Sequence, residues 1–499
     1  MAARFSTDAA LFEDHLAAPR GRGGLARSPY TGAAGGAACG DLLRVSVRLS
    51  GDGVAESAFE ARGCAAACAA GSAVVELTRG RSAFEAALVT PAAIAAELGG
   101  LAPASMHAAD LAADALHRAL GLAARDGCVR VAATGNRTLV AMSGGVDSAA
   151  AAQLALDAGE HVVAVTLELW SDAATDGEKS CCSPQAVTGA RALAHRMGIP
   201  HFTLDLRDRF RADVVDDFLD GYAAGQTPNP CVRCNGLVRF DSMLELAGHL
   251  GAAQLVTGHY ARMARDDHGP LVRAAADPSK DQSYVLARLT GAELERLRFP
   301  LGELEKTRVR ELAAAAGLPV ARKPESQDLC FLAGSGARDF MVRHGGGAVD
   351  HAERGGELVD RGGNVLGHHR GHHRFTVGQR RGIGVAAGEP YYVLAKDAER
   401  NRVVIGPKAQ LRTDTFSVAP VTLHRSADRT SLVRLRYHAP AVPCAIEGAM
   451  PAGGGDRATL RLDRQIAGAA PGQTACLMDG ELVVGWATLE NPAAVGPHG

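Results

Sequence analysis

A short apolar run that passes into a glycine-rich turn constrains this chain most strongly. Residues 138–148 read T-L-V-A-M-S-G-G-V-D-S, and an Ala-rich stretch continues to Ala158. The apolar run predicts a buried strand and the Ala-rich stretch a helix. The turn between them places free backbone N–H groups and a helix dipole where an anion can bind. The sequence therefore predicts an α/β sheet with a phosphate-binding turn.

The turn is not a Walker A loop, because it lacks the four-residue spacer and the Gly-Lys-Ser/Thr ending. It resembles the pyrophosphatase loop of ATP-pyrophosphatase enzymes, which release pyrophosphate and adenylate a substrate. Two glycines alone would favour an ordinary strand-to-helix turn, whereas the match from Ser143 to Ser148 favours nucleotide binding. Asp147 has two interpretations, since a carboxylate there could bind Mg²⁺ or cap the helix.

Composition sets broad limits on the chain. Its 499 residues suffice for roughly three or four domains, and the net charge of -2 does not by itself indicate a nucleic-acid partner. No apolar run reaches the ~18 residues of a membrane span, and the N-terminus lacks an apolar signal core. We therefore expect a cytoplasmic protein without a membrane partner, in which the eleven cysteines are reduced.

Alternation of strand-like and helical runs divides the chain into five segments. From residue 138 the alternation predicts a doubly wound parallel sheet, and from about 344 short apolar strands between Gly-rich turns predict small β domains, including a β-barrel. At the start of these small β domains, the Gly-, His- and Arg-rich stretch 343–374 is expected to be loop or poorly ordered. The expected segments are 1–125, an α+β domain; 126–137, a linker; 138–343, the catalytic domain; 344–411, a small β-rich domain; and 412–499, a barrel.

Six ordered motifs carry a family resemblance over residues 138 to about 490. They are T-P-N-P-C-x-x-C-N (227–235), T-G-H-Y-A-R (257–262), K-D-Q-S-Y-V-L (280–286), F-P-L-G-x-L-x-K-T-x-V-R (299–310), S-Q-D-L-C-F (326–331) and T-V-G-Q-R-R-G-I-G (376–384). In these motifs the chain resembles the tRNA-specific 2-thiouridylase family. The resemblance implies an ATP-dependent tRNA uridine 2-sulfurtransferase, which forms 2-thiouridine at the wobble position with a persulfide sulfur.

The resemblance implies roles for two cysteines. Cys234 matches the nucleophile of the family and Cys330 matches its persulfide-bearing cysteine. A carbonyl oxygen is a poor leaving group, whereas an adenylated oxygen departs as AMP, so a persulfide can then deliver sulfur. Release of that sulfur by the second thiol would leave a Cys234–Cys330 disulfide. On residue type alone, a [4Fe–4S] cluster held by Cys231, Cys234 and Cys330 is an alternative.

The resemblance also implies binding residues for ATP with Mg²⁺ and for tRNA. The nucleotide set is Met142, Ser143, Gly144, Gly145, Val146, Asp147, Ser148, Leu167 and Gly258. The tRNA set is Asn229, Pro230, Cys231, His259, Lys280, Asp281, Gln282, Arg436 and Tyr437. Without the motifs, each polar member of the second set would be interpreted as solvated surface.

Residues 9–122 resemble a second family, the iron–sulfur cluster scaffolds. The matching ligand set is Cys39, Asp41, Cys64 and His107, but Ala108 stands where the family has its third cysteine. The remaining set suits zinc and is weaker for an iron–sulfur cluster. Cys68 lies one helical turn after Cys64 and could replace the missing thiol. The alternative is a degenerate domain kept for docking or stability.

Fusion of the two parts suggests a relay, because tethering raises effective concentration. We expect the front domain to receive sulfur from a cysteine desulfurase or another sulfur-relay protein and to pass it to Cys330. One rival hypothesis is a synthetase or amidotransferase that adenylates a small metabolite, and another is a sulfur or cluster carrier whose C-terminal part only binds tRNA. We assign no chemistry to the remaining cysteines and expect them to pack as small apolar residues: Cys128, Cys181, Cys182, Cys444 and Cys476.

Overall fold

The structure is a computed structural model that describes most of the chain. The described residues are 9–26, 28, 30–35, 40–172, 184–324, 329–332, 336–346, 354–386 and 388–490. Cys39, Cys181 and Cys182 lie outside them. Among the described residues, no helix has the length and apolar character that a membrane crossing requires.

The front domain has a three-stranded antiparallel sheet with helices packed on it. The alternating residues of the second strand point to opposite faces, so Leu43, Val45 and Val47 are buried in the core. The sheet order is β1-β2-β3. The elements are α1 (Ala9–Ala17), β1 (Thr31–Gly35), β2 (Leu42–Ser50), β3 (Gly53–Arg62), α2 (Ala65–Thr78), α3 (Ala83–Ala86), α4 (Pro91–Glu97) and α5 (Met106–Arg125).

The catalytic domain is built on a five-stranded parallel sheet, which confirms the expected doubly wound fold. The order is β10-β7-β4-β5-β6. Its strands and flanking helices are β4 (Thr134–Ala141), α6 (Val146–Asp157), β5 (His161–Glu168), α7 (Pro184–Arg196), β6 (His201–Asp205), α8 (Arg207–Phe210), α9 (Asp216–Ala223), α10 (Pro230–Cys234), α11 (Phe240–His249), β7 (Ala252–Thr257), α12 (Gly291–Leu294), β10 (Leu297–Arg298), α13 (Lys306–Ala315) and α14 (Gly336–His344). Ligands bind such sheets at the carboxyl ends of the strands.

The stretch 343–374 contains regular structure, so the expectation of a loop there was wrong in part. Glu357 to Val359 pair with Arg402 to Val404, and the Gly-rich turn at 361–364 closes a hairpin. The arginines that suggested a loop lie outside the strands, at Arg354, Arg361, Arg370 and Arg374. The second strand of the hairpin exposes Val365 and Leu366 and buries His369. The resulting sheet has the order β12-β11-β14-β13, with β11 (Gly356–Val359), β12 (Val365–His369), β13 (Tyr391–Asp397) and β14 (Arg402–Pro407).

The last part of the chain forms the expected closed barrel. Six strands pair in the order β15-β18-β17-β16-β19-β20, and pairing of β15 with β20 closes the ring. A hairpin from the catalytic segment, β8 with β9, extends this sheet through β20. The strands are β8 (Arg262–Asp266), β9 (Gly269–Arg273), β15 (Arg412–Leu423), β16 (Leu432–Arg434), β17 (Val442–Ile446), β18 (Ala458–Ala467), β19 (Thr474–Asp479) and β20 (Leu482–Leu489).

The front and catalytic domains share one apolar core. Helix α5 lies against β6, the edge strand of the parallel sheet, and a single cluster of buried residues joins both domains. Gly121 in α5 approaches β6 so closely that a Cβ there would lie 1.8 Å from the carbonyl oxygen of Thr203. The rings of Phe84 and Phe202 meet edge to face, with centroids 6.2 Å apart. The front domain is therefore packed onto the catalytic domain.

Candidate functional sites

The glycine-rich turn joins β4 to α6, as expected. Gly144 has a φ of +69°, which is a left-handed conformation that favours glycine, and Gly145 is the N-cap of α6. The Ser148 hydroxyl lies 3.1 Å from the backbone nitrogen of Ser143, from which it accepts a hydrogen bond. The same hydroxyl donates to the carbonyl of Gly145 at 3.2 Å. These bonds hold the turn open with backbone N–H groups at the start of α6.

Asp147 is paired with a lysine that lies 159 positions later in the chain. Lys306 Nζ is 2.7 Å and 2.8 Å from the two carboxylate oxygens of Asp147, and the Tyr260 hydroxyl donates to Oδ1 at 2.8 Å. A second lysine, Lys323, donates to the carbonyl of Gly144 at 3.0 Å. Lys306 belongs to the motif at 299–310 and Lys323 lies just before the motif at 326–331, but the sequence alone assigned neither a role. They give the turn the positive charge that phosphates require.

The other predicted nucleotide residues lie at the carboxyl ends of neighbouring strands. Met142 is buried, its N–H donating to Val165 at 2.8 Å, and Val146 is buried in the adjoining core. Leu167 is buried near the end of β5. A Cβ on Gly258, just after β7, would lie 2.8 Å from the backbone carbon of Asp147. Their contacts with ATP stay predictions.

We expect Lys306→Met to lower ATP-dependent adenylation about 100-fold, because a preorganised charge at the phosphate turn is lost and Asp147 keeps an unpaired carboxylate. Pyrophosphate release with tRNA measures this loss. Arg308→Met is the matched control, because Arg308 lies on the same helix and pairs with Glu311 at the exposed surface, at 3.1 Å. Equal rates for the lysine variant and its control would contradict a role for Lys306.

Helix α10 presents Cys234 at its last residue. Asn229 caps the helix by accepting a hydrogen bond from Val232 N–H at 3.2 Å, and Pro230 occupies the first turn. A π-helical turn follows directly over Asn235–Arg239, and such turns are frequent at functional sites. Cys234 is 6% exposed and belongs to the large apolar cluster.

Cys330 lies in a loop that an aromatic cluster anchors. The adjacent Phe331 is fully buried, and its ring centroid lies 5.2 Å from that of Phe218 and 4.9 Å from that of Phe340. Cys330 itself is half-buried and packs against the same apolar cluster that contains Cys234. The two predicted reactive cysteines therefore pack in the same apolar core, Cys234 at the end of helix α10 and Cys330 in a loop.

The predicted tRNA residue Asp281 is buried and holds its own loop together. Its Oδ1 accepts hydrogen bonds from the N–H groups of Ala275 at 2.9 Å and Ser283 at 3.1 Å. Its Oδ2 accepts from the Ser283 hydroxyl at 2.8 Å and from Arg434 of the barrel at 2.5 Å. These bonds fix the positions of Lys280 and Gln282 on either side of it.

The same loop links the predicted nucleotide and base sites. Gln282 Oε1 accepts from the N–H of Tyr260 at 2.9 Å, and the amide of Asn229 donates to the Tyr284 hydroxyl at 3.4 Å. The Tyr284 and Tyr437 ring centroids are 6.1 Å apart. Burial, with the nearby Asp281 and Cys231, raises the pKa of Tyr437 to about 12. The structure thus brings most of the predicted tRNA residues into one region.

Arg436 and His259 lie at the edges of this region. Arg436 donates to the carbonyl of Gly468 at 3.1 Å and lines an open groove of about 370 Å³ together with Thr227 and Gln473. His259 bonds to the Thr257 hydroxyl at 2.8 Å. Burial, assisted by Arg239, lowers the pKa of His259 to about 3, so the ring is neutral at physiological pH. Contacts of either residue with tRNA stay predictions.

Three of the four predicted metal ligands meet in the front domain. Cys64 Sγ lies 2.9 Å from Asp41 Oδ2 and 3.8 Å from His107 Nε2, and His107 Nε2 lies 3.1 Å from the same carboxylate oxygen. The Nδ1 of His107 faces the carbonyl of Ala104 at 2.9 Å, which leaves Nε2 for the site. Burial and the hydrogen bond with Asp41 raise the pKa of the Cys64 thiol.

The missing third cysteine is not replaced within this group. Ala108 is fully buried in the core, and Cys68 does not belong to the group of close ligand atoms formed by Asp41, Cys64 and His107. Sulfur, nitrogen and carboxylate oxygen ligands in a compact set suit zinc. The fourth predicted ligand, Cys39, falls outside the part of the chain that the structure describes.

The remaining cysteines differ in their surroundings. Cys476 is fully buried in the core, as expected, and Cys444 packs at the edge of the barrel core. Cys128 departs from the expectation, because it is exposed and its Sγ lies 2.8 Å from the Tyr30 hydroxyl.

Four sequence families match the chain in succession. They are the NifU-like N-terminal domain (residues 9–124), the tRNA methyl transferase HUP domain (136–334), the tRNA methyl transferase PRC-barrel domain (349–407) and the aminomethyltransferase β-barrel domain (413–489). Both resemblances found in the motifs are thereby confirmed.

Curated relatives match over nearly their full lengths. A bifunctional protein NifU/MnmA of Rubrobacter xylanophilus is 43% identical over 485 residues, which cover 95% of this chain and 96% of the relative. The tRNA-specific 2-thiouridylases MnmA of Rhodospirillum centenum and Magnetococcus marinus are 43% and 41% identical, each over 70% of this chain and over 90% and 97% of their own lengths. The chain therefore belongs to the tRNA-specific 2-thiouridylase family, in a form that carries a NifU-like domain at its N-terminus.

Proposed function

We propose that the chain is an ATP-dependent tRNA uridine 2-sulfurtransferase whose reactive thiols are Cys234 and Cys330. One observation carries the assignment of the thiols: Cys234 and Cys330 stand at the two cysteine positions of the motifs within the matched catalytic domain. In the structure Cys234 ends α10, and Cys330 lies beside the buried Phe331. A metabolite synthetase would need no such pair of cysteines.

Adenylation takes place at the turn from Ser143 to Ser148. Its backbone N–H groups, with Lys306 and Lys323, receive the phosphates of ATP. The carboxylate of Asp147 and the neighbouring hydroxyls are the oxygen ligands that Mg²⁺ prefers, and the ion would neutralise phosphate charge there. The O2 oxygen of the uridine attacks the α-phosphate, and pyrophosphate leaves. The base then carries AMP, a good leaving group, on C2.

Sulfur enters from a persulfide on Cys330. Its terminal sulfur attacks C2 and expels AMP, which leaves the base joined to Cys330 through a disulfide. Cys234 then attacks the Cys330 sulfur, releases 2-thiouridine and forms a Cys234–Cys330 disulfide. The transferred sulfur gains two electrons and the two thiols lose them, so an external dithiol must reduce the enzyme before the next turnover.

The tRNA binds where the loops of three segments meet. Asn229, Pro230 and Cys231 contact the target base, since they precede Cys234 directly on α10. Lys280, Gln282, Arg436 and Tyr437 contact the surrounding anticodon loop, in which unstacked bases and phosphates are accessible. His259 offers a neutral ring, and Asp281 positions its neighbours.

The front domain accepts sulfur from a cysteine desulfurase through Cys64. Asp41, Cys64 and His107, with Cys39, would hold zinc, and the ion would keep the Cys64 thiol deprotonated. The experiment supplies the full chain with unmodified tRNA, ATP and one of two sulfur sources. One source is a desulfurase with cysteine and a dithiol. The other is free sulfide added to the chain in its Cys234–Cys330 disulfide form, because sulfide opens that disulfide to a Cys330 persulfide and a free Cys234 thiol. We expect AMP, pyrophosphate and 2-thiouridine in equal amounts with either sulfur source. ATP cleavage to ADP, or AMP formed without tRNA, would contradict the proposed reaction.

Cys64→Ser tests sulfur transfer through the front domain separately from the thiolation reaction at Cys234 and Cys330. We expect this variant to lose most thiolation driven by the desulfurase, at least about tenfold, while it keeps thiolation driven by free sulfide, because only the first route uses the front domain. Cys128→Ser is the control, since Cys128 is also exposed in this part of the chain. Unchanged desulfurase-driven thiolation in Cys64→Ser would contradict the relay.

A further inference from the structure

Charged side chains of helix α5 in the front domain form ion pairs with the catalytic domain. Arg118 NH1 lies 2.7 Å from Glu168 Oε2, and Arg118 Nε lies 2.9 Å from Asp114 Oδ2. Asp114 in turn accepts from Arg191 of α7 at 2.9 Å. This ion-pair network therefore crosses the interface between the front and catalytic domains twice, and arginines alternate with carboxylates along it.

Glu168 is the centre of this network on the catalytic side. Its side chain is 0% exposed. Its second oxygen accepts no hydrogen bond from the residues that the structure describes and lies 3.6 Å from Arg207 NH1. Burial alone would lower the pKa of Arg118, but the carboxylates of Asp114 and Glu168 raise it. Arg118 is thus a fully charged partner for a buried carboxylate, and removal of one member of such a pair is costly because the other charge stays desolvated.

The position of Glu168 connects the network to the nucleotide site. Glu168 is the last residue of β5 and directly follows Leu167. Successive side chains of a strand point to opposite faces, so Leu167 and Glu168 face opposite sides of the sheet. The ion pair between Glu168 and Arg118 therefore fixes the backbone at Leu167 from the opposite face of the sheet.

We propose that Arg118 is a positioning residue for ATP, supplied by the front domain to the end of β5. The inference rests on the proposed function, because it requires that ATP binds beside Leu167. It assigns the front domain a role in nucleotide binding that is independent of the metal site at Cys64. Without Arg118, the buried Glu168 loses its hydrogen-bonded cation and keeps the longer contact with Arg207 at 3.6 Å. The end of β5 then shifts or admits water, and the surface around Leu167 loses its shape.

The test compares Arg118→Met with Arg125→Met, which removes an exposed arginine of the same helix that pairs with Asp126 at 2.8 Å. We expect Arg118→Met to raise the Kd of a non-hydrolysable ATP analogue and the KM for ATP at least about tenfold. The kcat of tRNA-dependent pyrophosphate release stays within about twofold, because the contact acts equally on bound substrate and transition state. Arg125→Met behaves like the unsubstituted chain.

The double variant Arg118→Met with Glu168→Gln removes the uncompensated charge and should recover most of the lost ATP affinity, as expected for coupled partners. The inference is overturned if Arg118→Met lowers the unfolding temperature but leaves the Kd for the analogue unchanged, or if the double variant binds as weakly as the single one. Absence of analogue binding by the unsubstituted chain would contradict the proposed function itself, and this inference with it.

Discussion

Replacement of Cys330 or Cys234 by serine is expected to reduce tRNA thiolation at least about a thousandfold, because each substitution removes a reacting atom. Binding of ATP should be unchanged, since the phosphate turn does not include either cysteine. Cys444→Ser is the matched control, because Cys444 is also half-buried but lies in the barrel. Its thiolation rate should stay within about twofold of the original rate.

The Cys234→Ser and Cys330→Ser variants should differ in the covalent intermediate that accumulates. In Cys234→Ser the persulfide on Cys330 still reaches the base, so a covalent protein–tRNA disulfide should build up and a dithiol should release it. Cys330→Ser cannot form this adduct. Gel analysis with and without dithiol detects it. If neither variant forms the adduct and activity is lost on exposure of the protein to air, the cluster alternative with Cys231 replaces the persulfide route.

Gly121→Ala is expected to destabilise the joint between the front and catalytic domains by about 2 kcal/mol, although alanine favours helices over glycine by up to about 1 kcal/mol. The new methyl group would lie 1.8 Å from the carbonyl oxygen of Thr203. The backbone fixes the position of the alanine Cβ, and the Thr203 carbonyl is itself a backbone group, so no side-chain rotation relieves the clash. Denaturant unfolding and amide exchange of α5 measure the effect.

Gly189→Ala is the control for this substitution. Gly189 lies in α7, is exposed, and a Cβ there meets no atom within 4 Å. Alanine should stabilise that helix by up to about 1 kcal/mol. Equal effects of the two substitutions would contradict the close packing of α5 on β6.

The shared core also determines how the relay can be tested. Removal of residues 1–125 would expose the apolar surface of β6 and leave Glu168 without Arg118, so loss of activity in such a truncation would not identify a role in sulfur transfer. The point substitution at Cys64 leaves this interface intact and is therefore the informative experiment.

Much of the fold was predictable from local patterns. The turn at Ser143–Ser148, the parallel strands and the barrel followed from apolar runs and glycine positions, because these features depend on neighbouring residues. The strands β11 and β12 were not predicted, because β12 exposes Val365 and Leu366 and buries His369, so its sequence does not show an apolar period of two.

The contacts that assemble the sites were not predictable in the same way. Lys306 and Asp147 are 159 residues apart, and Arg118 and Glu168 are 50 residues apart in different domains. Such pairs follow from tertiary packing and leave no local pattern. Gly121 was a possible signal, because a glycine in an Ala-rich helix costs stability unless a close contact requires it.

Mass spectrometry of tRNA nucleosides detects the proposed product itself. Unmodified tRNA is incubated with the full chain, ATP, a cysteine desulfurase with cysteine and a dithiol, then digested to nucleosides. We predict that one wobble uridine gains a sulfur atom in place of an oxygen, only when ATP is present, and that Cys330→Ser abolishes the product. An unchanged uridine with the unsubstituted chain would contradict the proposed thiolation of tRNA. Thiolation that survives in both cysteine variants would contradict the roles of Cys234 and Cys330.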